Sequence, residues 1–464
     1  MRKLLAALAF APALALAQLP GPVRDALARA GVPESAVSAV VEPAGGGPRL
    51  ASHNADRPLN PASTIKLVTT YAALDLLGPA YAFRTDVLVA GELSGGVLAG
   101  DLVLKGGGDP KLTYERLWQL VRQLRARGLR EIRGDVILDR SFFAPVPHDP
   151  AKFDGEVRRA YNVGPDALLL NFKAVDFRFV PDASGVRVIG EPDFPNVQIA
   201  SRVRPSREPC NNWRKGLRYE IEENGLLATA VFTGTYPADC GEKTWPLAVL
   251  DADRYAEAAF RWLWSEAGGR LAGKVRGGTA PSGATLFLRF ESEPLAALVR
   301  DTNKFSNNVM ARQIFLTLSA EKSGVPGEAG ASERVVRDWL AAKGIDEKGL
   351  VIENGSGLSR AERITAGTLA AVLRAAWAGP VMPELVSSLS LFAVDGTFKS
   401  KNGAFAGQAH LKGGTLTGVQ AVAGYVLDTR GERRVVVMIV NHDNANRAQA
   451  ALDALVEWAW RAGK

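Results

Sequence analysis

The stretch that most constrains the fold of this chain is residues 61–66, which carries a serine and a lysine and leads into an apolar run. Ser63 precedes Lys66 by three residues, and the apolar positions that follow recur with a helical period. The pattern predicts a helix with both side chains on one face of its first turn. A serine becomes a nucleophile only beside a base, and a lysine acts as that base only if burial lowers its pKa. On its own, such a pair is more typical of a helix N-terminus with a solvated lysine.

Residues 1–17 have the pattern of a secretory signal peptide. Arg2 and Lys3 precede an apolar stretch, and Ala15 and Ala17 form a small-x-small cleavage site. A membrane anchor is the alternative, but the apolar stretch is shorter than a bilayer-spanning helix, and no later segment approaches that length. We therefore expect an exported protein of the periplasm or cell envelope that is soluble after cleavage and has no transmembrane anchor.

Composition excludes some classes of function. The net charge of +7 over 464 residues is mildly basic, and no cluster of cations alternates with aromatic residues, so nucleic-acid binding is not indicated. The four histidines are scattered, which predicts no metal site. The two cysteines, Cys210 and Cys240, are expected to form one disulfide in an oxidising compartment, with two free buried thiols as the alternative.

The pattern of predicted helices and strands changes twice along the chain. The chain is also too long to fold around a single hydrophobic core. Amphipathic helices and strands alternate before Phe83 and again after Phe290. Between them, residues 114–126 predict a strong amphipathic helix. Residues 174–234 predict a run of short strands with turns rich in Pro, Gly and Asn. We therefore expect two or three domains, one of them a small β-rich module around the cysteines.

Two further polar stretches carry candidate site residues. Ser306 and Asn308 directly precede a predicted helix, and from an irregular loop both can point the same way. The hydroxyl can then relay a proton and the amide can hold a peptide bond, although a polar helix cap is the alternative. Lys412 precedes Gly413 and Gly414 in a predicted strand, which places a cation beside closely approachable backbone. A solvated edge-strand lysine is the alternative.

Together and in this order, the three stretches resemble the Ser-x-x-Lys, Ser-x-Asn and Lys-Thr-Gly motifs of penicillin-binding proteins and serine β-lactamases. More of the chain resembles the class C low-molecular-mass penicillin-binding proteins, which are D-alanyl-D-alanine carboxypeptidases and endopeptidases. The further matching stretches are residues 106–110 (Gly-Gly-Gly-Asp-Pro), 161–168, 354–360 (Asn-Gly-Ser-Gly-Leu-Ser-Arg) and 394–397 (Val-Asp-Gly-Thr). The resemblance covers nearly the whole chain after the signal.

The resemblance implies an α/β (α+β) fold. Its catalytic part would be a penicillin-recognising serine acyltransferase domain, which consists of an antiparallel sheet flanked by helices. A large nested insertion of two domains would interrupt this domain. The expected divisions are a catalytic domain of residues 18–82 and 291–464, an inserted α/β domain of residues 83–172 and 246–290, and an inner β-rich domain of residues 173–245. These divisions agree with the two changes in the pattern of predicted helices and strands.

The resemblance also implies a function. The protein would be a serine D,D-peptidase acting on peptidoglycan stem peptides, as a D-Ala-D-Ala carboxypeptidase, as a D,D-endopeptidase on cross-links, or as both, and β-lactams would acylate it. Ser63 would be the nucleophile and Lys66 its base. Ser306 would relay a proton to the leaving amine, and Asn308 would hold the substrate amide. No cofactor or metal is implied.

The same resemblance assigns the substrate-binding strand. Lys412 would attract the substrate carboxylate, Gly413, Gly414 and Thr415 would line the site, and the backbone N–H groups of Ser63 and Thr415 would form the oxyanion hole. Gly413 departs from the family pattern, which usually has a threonine whose hydroxyl contacts the terminal carboxylate. Carboxypeptidase activity should suffer more from this departure than endopeptidase activity.

Two other functions stay open at this point. The Gly413 departure is also the sequence hint for a catalytically weak wall-binding protein, although the set of candidate catalytic residues is otherwise intact. A β-lactamase would share the three motifs. The long segment between Ser63 and Ser306, about half of the chain, argues against it because a compact acylation domain does not need one.

Overall fold

The computed structural model describes residues 19–145, 148–225 and 227–462, so the expected signal peptide lies outside the described residues. The helices are α1 (Gly21–Ala30), α2 (Lys66–Leu77), α3 (Tyr114–Ala126), α4 (Ala252–Glu266), α5 (Leu295–Lys304), α6 (Asn308–Ser323), α7 (Ala329–Ala342), α8 (Ala366–Ala378), α9 (Met382–Ser388) and α10 (Gln449–Trp460). No helix in these ranges is both long and apolar enough to span a bilayer.

The strands alternate with these helices along the chain. They are β1 (Val37–Pro43), β2 (Ala51–His53), β3 (Arg84–Ser94), β4 (Val97–Gly106), β5 (Glu131–Ile132), β6 (Val136–Asp139), β7 (Val175–Asp182), β8 (Gly185–Glu191), β9 (Val197–Ser206), β10 (Leu217–Asn224), β11 (Leu227–Pro237), β12 (Lys243–Leu247), β13 (Arg270–Leu271), β14 (Val275–Gly278), β15 (Thr285–Glu291), β16 (Ser390–Leu391), β17 (Ala409–Leu416), β18 (Val419–Leu427) and β19 (Arg433–Asn441).

Strands from the two ends of the chain form one antiparallel sheet in the order β16-β17-β18-β19-β1-β2. Because side chains alternate between the faces of a strand, β18 presents Ala423 and Tyr425 to one apolar cluster and Val422 and Val426 to another. The first cluster includes residues of α2 and α5–α9, and the second includes residues of α1 and α10. The sheet is therefore a middle layer between two layers of helices.

The strands that the structure describes between residues 84 and 291 lie in three other sheets. A seven-stranded mixed sheet has the order β13-β5-β4-β3-β15, with β6 and β14 joined beside β4. Two three-stranded sheets have the orders β12-β7-β8 and β10-β11-β9. Side chains of all three sheets and of α3 and α4 share one buried apolar cluster. The predicted α/β (α+β) fold class is confirmed.

Aromatic side chains dominate the part of this cluster that β7, β11 and β12 supply. Phe179 lies within 6.3 Å, between ring centroids, of Phe232, Tyr236 and Trp245. Cys210 and Cys240 are joined by a disulfide in the same region. Apolar burial and one covalent cross-link therefore stabilise this part of the chain.

The start of α2 differs from the expected single helix. Ser63 lies in a 3₁₀ turn, Ala62–Ile65, and the α-helix begins only at Lys66. The tighter turn follows from the bond between the Thr64 N–H and the Pro61 carbonyl at 3.2 Å and from the positive φ of 46° at Ala62. Ser63 and Lys66 still lie one turn apart.

Candidate active site

Lys66 is the centre of a hydrogen-bond network beneath Ser63. Its side chain is fully buried, and its Nζ lies 3.0 Å from Ser63 Oγ and 2.7 Å from Asn308 Oδ1. Nζ also donates to the backbone carbonyl of Ser356. Three partners match the capacity of the amine, which in its neutral form has two N–H donors and one lone pair. With the two oxygens of Asn308 and Ser356 accepting, the lone pair is left for the Ser63 hydroxyl.

The surroundings of Lys66 favour that neutral form. Burial is the largest cause that lowers its pKa well below the usual range, and the positive charges of Lys412 and Arg312 add to the effect. The carboxyl group of Glu362 opposes it. A lysine with a lowered pKa and a serine within hydrogen-bond distance satisfies the two requirements for an activated nucleophile.

Ser306 and Lys412 form a second pair at the mouth of the site. Ser306 lies between α5 and α6 with a positive φ of 55°, a conformation that non-glycine residues adopt at a cost. Lys412 Nζ donates to Ser306 Oγ at 2.8 Å and to the Gly413 carbonyl at 2.7 Å. Burial lowers the pKa of Lys412 to about 7. The lysine is fully buried, which differs from the solvated edge-strand interpretation.

Asn308 is the first residue of α6, and its neighbour Asn307 caps that helix by accepting from the Met310 N–H at 3.0 Å. The Asn308 side chain is therefore directed elsewhere. Its Oδ1 accepts from Lys66, and its Nδ2 donates to no residue of the described ranges. An amide nitrogen in this position can donate to a carbonyl of a bound peptide.

Strand β17 approaches Ser63 through its backbone. A Cβ on Gly414 would lie 2.8 Å from the Pro61 carbonyl oxygen and 2.9 Å from the Ser63 nitrogen, so the close approach requires glycine. The next residue, Thr415, donates its hydroxyl to Gln420 Oε1 at 3.2 Å. Strand β16 pairs only with residues 410–411, so in the described structure β17 has an unpaired edge from Lys412 onward.

Gly413 faces an aromatic ring. A Cβ at this position would lie 3.2 Å from the Phe398 ring, which is tighter than ordinary van der Waals contact. Thr397, Phe398 and Lys401 line one cavity of about 280 Å³ together with Ser63, Ser306, Gly413, Gly414 and Thr415. The space that a threonine hydroxyl would use is therefore partly filled from the opposite wall.

The structure thus brings together the residues that the sequence singled out. Five of them line the cavity. Lys66 is hydrogen-bonded to Ser63, Lys412 to Ser306, and Asn308 to Lys66. Cys240 belongs to the other buried cluster, and Cys210, which is bonded to it, is exposed. Among the described residues, no group of three or more His, Cys, Asp or Glu side chains is arranged to hold a metal ion.

The model of the D-Ala-D-Ala carboxypeptidase 3 (S13) family matches residues 22–462. The chain belongs to this family. It is a serine-type hydrolase of the D-Ala-D-Ala carboxypeptidase group, as the three motifs predicted.

Relatives and solved structures extend the comparison. A D-alanyl-D-alanine carboxypeptidase of Actinomadura sp. (strain R39) is 29% identical, over 90% of this chain and 80% of the relative. The crystal structure of penicillin-binding protein 4 from Haemophilus influenzae has a TM-score of 0.78 at 23% identity and covers 94% of this chain and 99% of that chain. That protein has also been solved in complex with a β-lactam, with a TM-score of 0.73. A predatory endopeptidase of Bdellovibrio bacteriovorus, Bd3459, has a TM-score of 0.51 at 15% identity and covers 90% of each chain.

Several groups of the site are not predicted from the sequence. The carbonyl of Ser356, the carboxyl of Glu362 and the guanidinium of Arg312 act on Lys66, yet the sequence assigned none of them a role. Residues 354–360 match the family only as a stretch of sequence, and the Gly-Ser-Gly within them is the one local signal, typical of a tight turn, that points to this part of the site.

Proposed function

We propose that this S13 family member hydrolyses the peptide bond that follows a D-alanine in peptidoglycan stem peptides, through an acyl-enzyme on Ser63. The observation that carries the proposal is the environment of Lys66, a fully buried amine 3.0 Å from Ser63 Oγ with a pKa well below its usual range. Such an amine is a free base at a pH where ordinary lysines are charged.

Acylation begins with Ser63 Oγ attacking the carbonyl carbon of the scissile bond while the lone pair of Lys66 accepts the hydroxyl proton. Asn308 Oδ1 and the Ser356 carbonyl hold the two N–H bonds of the amine, which directs its lone pair at Ser63. The developing oxyanion accepts hydrogen bonds from the backbone N–H groups of Ser63 and Thr415. The close packing of Gly414 against the Ser63 nitrogen supports this pairing of donors.

The leaving amine receives a proton as the carbon–nitrogen bond breaks. Ser306 donates it from its hydroxyl, and Lys412, 2.8 Å away, replaces it. Before deacylation Lys66 gives up to solvent the proton that it took from Ser63, and Lys412 regains one from solvent, so that both amines return to their starting forms. Water then attacks the acyl carbon while Lys66 takes a proton from the water. Lys66 passes that proton to Ser63 Oγ as the ester bond breaks, which restores the hydroxyl. Lys412 in its charged form also attracts the carboxylate of the substrate.

The wall opposite β17 favours cross-linked peptides over peptides with a free terminal D-alanine. Gly413 supplies no hydroxyl for a terminal carboxylate, and Phe398 lies where such a side chain would extend. A cross-linked peptide depends less on this contact. We therefore propose D,D-endopeptidase action as the stronger of the two activities.

The Cys210–Cys240 disulfide supports action in an oxidising compartment, so we propose that the protein works in the cell envelope after export. We also propose that the chain is divided into three nested domains, with boundaries at residues 83, 173, 246 and 291. The distribution of strands supports it, because the acylation site rests on the sheet of β1, β2 and β16–β19.

Mass spectrometry of muropeptides after incubation with the pure protein tests this function. The expected result is conversion of cross-linked dimers to monomers, with slower loss of terminal D-alanine, and neither change with Ser63→Ala. Unchanged muropeptides from a protein that still binds penicillin would contradict the proposal and indicate a wall-binding protein. Rapid release of hydrolysed penicillin would instead indicate a β-lactamase.

A further inference from the structure

Glu362 is a buried carboxyl group to which the acylation steps above give no role. Its side chain is fully buried, and its Oε1 accepts the N–H groups of Asn354 at 3.1 Å and Gly355 at 3.0 Å. Its Oε2 is buried and has no hydrogen-bond partner among the described residues. Burying a carboxyl group with one oxygen unpaired is costly, so its presence beside the catalytic lysine calls for an explanation.

The two N–H groups that Glu362 binds belong to the turn that receives Lys66. The carbonyl of Gly355 accepts from Thr69 Oγ1 at 2.7 Å, and the next carbonyl, that of Ser356, accepts from Lys66 Nζ. Both donors lie on α2, one turn apart. Glu362 therefore anchors the outer side of a turn whose inner side fixes the amine of the base.

The charge of Glu362 also acts on Lys66. Lys412 and Arg312 are the cations that disfavour a protonated Lys66, and Glu362 is the carboxyl group that favours it. Arg312 has a buried Nε without a hydrogen-bond partner in the described residues. The negative charges of Glu362 and Glu353 favour its protonated form. Burial raises the pKa of Glu362 to about 7, against the opposing effects of the two N–H donors and Lys66.

We propose that Glu362 is a positioning residue of the acylation step, which fixes the Ser356 carbonyl against Lys66 and sets the pH range in which Lys66 is a free base. The inference rests on the proposed role of Lys66. An ionised carboxylate stabilises the protonated amine, and a neutral carboxyl releases it. The charge state of each group therefore depends on that of the other.

Glu362→Gln separates charge from hydrogen bonding, because the amide oxygen can accept the same two N–H groups. The measurement is the second-order rate constant of acylation by a penicillin between pH 5 and 9. Without the negative charge, protonated Lys66 is less stable, so the acid limb of the profile should move to lower pH by roughly half to one unit. The limb should also become a single step, since one group titrates where two did.

Glu353→Gln is the matched control. Glu353 carries the same charge near Arg312, but it binds Ser359 and Lys152 and does not contact the 354–356 turn through its side chain. The charge of Glu353 raises the pKa of Glu362, so the acid limb of Glu353→Gln should stay near that of the wild type or move slightly to higher pH, opposite to the shift of Glu362→Gln. The inference is overturned if the Glu362→Gln profile superimposes on the wild type, or if both variants shift alike.

Glu362→Ala tests the hydrogen bonds. It leaves both N–H groups without their acceptor, so the maximal acylation rate should fall at least about tenfold, whereas Glu362→Gln should stay within about threefold of the wild type. An alanine variant as fast as the wild type would refute the anchoring of the turn. If alanine prevents folding, the glutamine profile decides. A penicillin adduct away from Ser63 would instead refute the proposed function.

Discussion

The two buried cores of this protein differ in the side chains that they contain. The core around Ser63 contains fully buried Lys66, Lys412 and Glu362, groups that cost free energy to remove from water. The core of residues 84–291 is largely apolar, with an aromatic cluster and a disulfide. The first core therefore keeps reactive groups at a cost in stability, while the second is stabilised by apolar packing and a cross-link. Substitutions should therefore affect activity in the first and stability in the second.

The largest effect is expected for Lys66→Met, which keeps an unbranched side chain and removes the base. Loss of general-base catalysis should lower the rate of penicillin acylation by about 10²- to 10⁴-fold. The melting temperature should change little, because a buried amine is removed along with its desolvation cost. Stopped-flow acylation and thermal unfolding measure the two effects. Lys105→Met, an exposed position on β4, is the control, and a Lys66→Met rate within tenfold of the wild type would refute the assignment.

The reverse pattern is expected when both cysteines are replaced by serine. The disulfide closes a loop with a sequence separation of 30, and its removal should cost about 3–4 kcal/mol in the chain-entropy model. Urea denaturation should show the loss as a lower midpoint, while the acylation rate of the folded variant stays within about twofold of the wild type. A parallel loss of acylation would show that the two cores are not separable in this way.

Gly413 tests the wall of the site with a matched pair of variants. Gly413→Ser adds a hydroxyl, and Gly413→Ala adds only the Cβ near Phe398. If the hydroxyl bonds the terminal carboxylate, serine should raise kcat/KM for peptides with a free terminal D-alanine by about 10- to 150-fold, and alanine should not. Cross-linked substrates should respond less. Equal effects of serine and alanine would mean that this position requires glycine for space alone.

The pH dependence of the wild type tests Lys412. Because burial lowers the pKa of Lys412 to about 7, its positive charge is present below that pH and is lost as the pH rises through it. Acylation by a penicillin with a free carboxylate should then decline by roughly tenfold per pH unit on the alkaline side. The methyl ester of the same penicillin, which offers no carboxylate, should lack most of this decline. Superimposable alkaline limbs for acid and ester would contradict a role of Lys412 in binding the carboxylate.

The sequence was sufficient for the motif residues and the fold class, because local patterns carry them. Ser63 and Lys66 lie three residues apart, Ser306 and Asn308 lie two residues apart, and the order of these motifs along the chain matches a family. The rest of the site has no local pattern. Glu362 acts through backbone N–H groups, and Phe398 reaches Gly413 from a different segment. Only tertiary packing brings these groups together, and burial is the largest cause that lowers the pKa of both Lys66 and Lys412.

Labelling with a penicillin identifies the nucleophile directly, through the residue that carries the covalent adduct. The buried Lys66 beside Ser63 predicts one label per protein molecule, attached to Ser63 in the peptide map, and no label on Ser63→Ala. Ser63→Ala should otherwise melt like the wild type, since a single hydroxyl is lost from a partly exposed turn. A label on another residue, or full labelling of a folded Ser63→Ala protein, would contradict the central claim that Ser63 is the nucleophile.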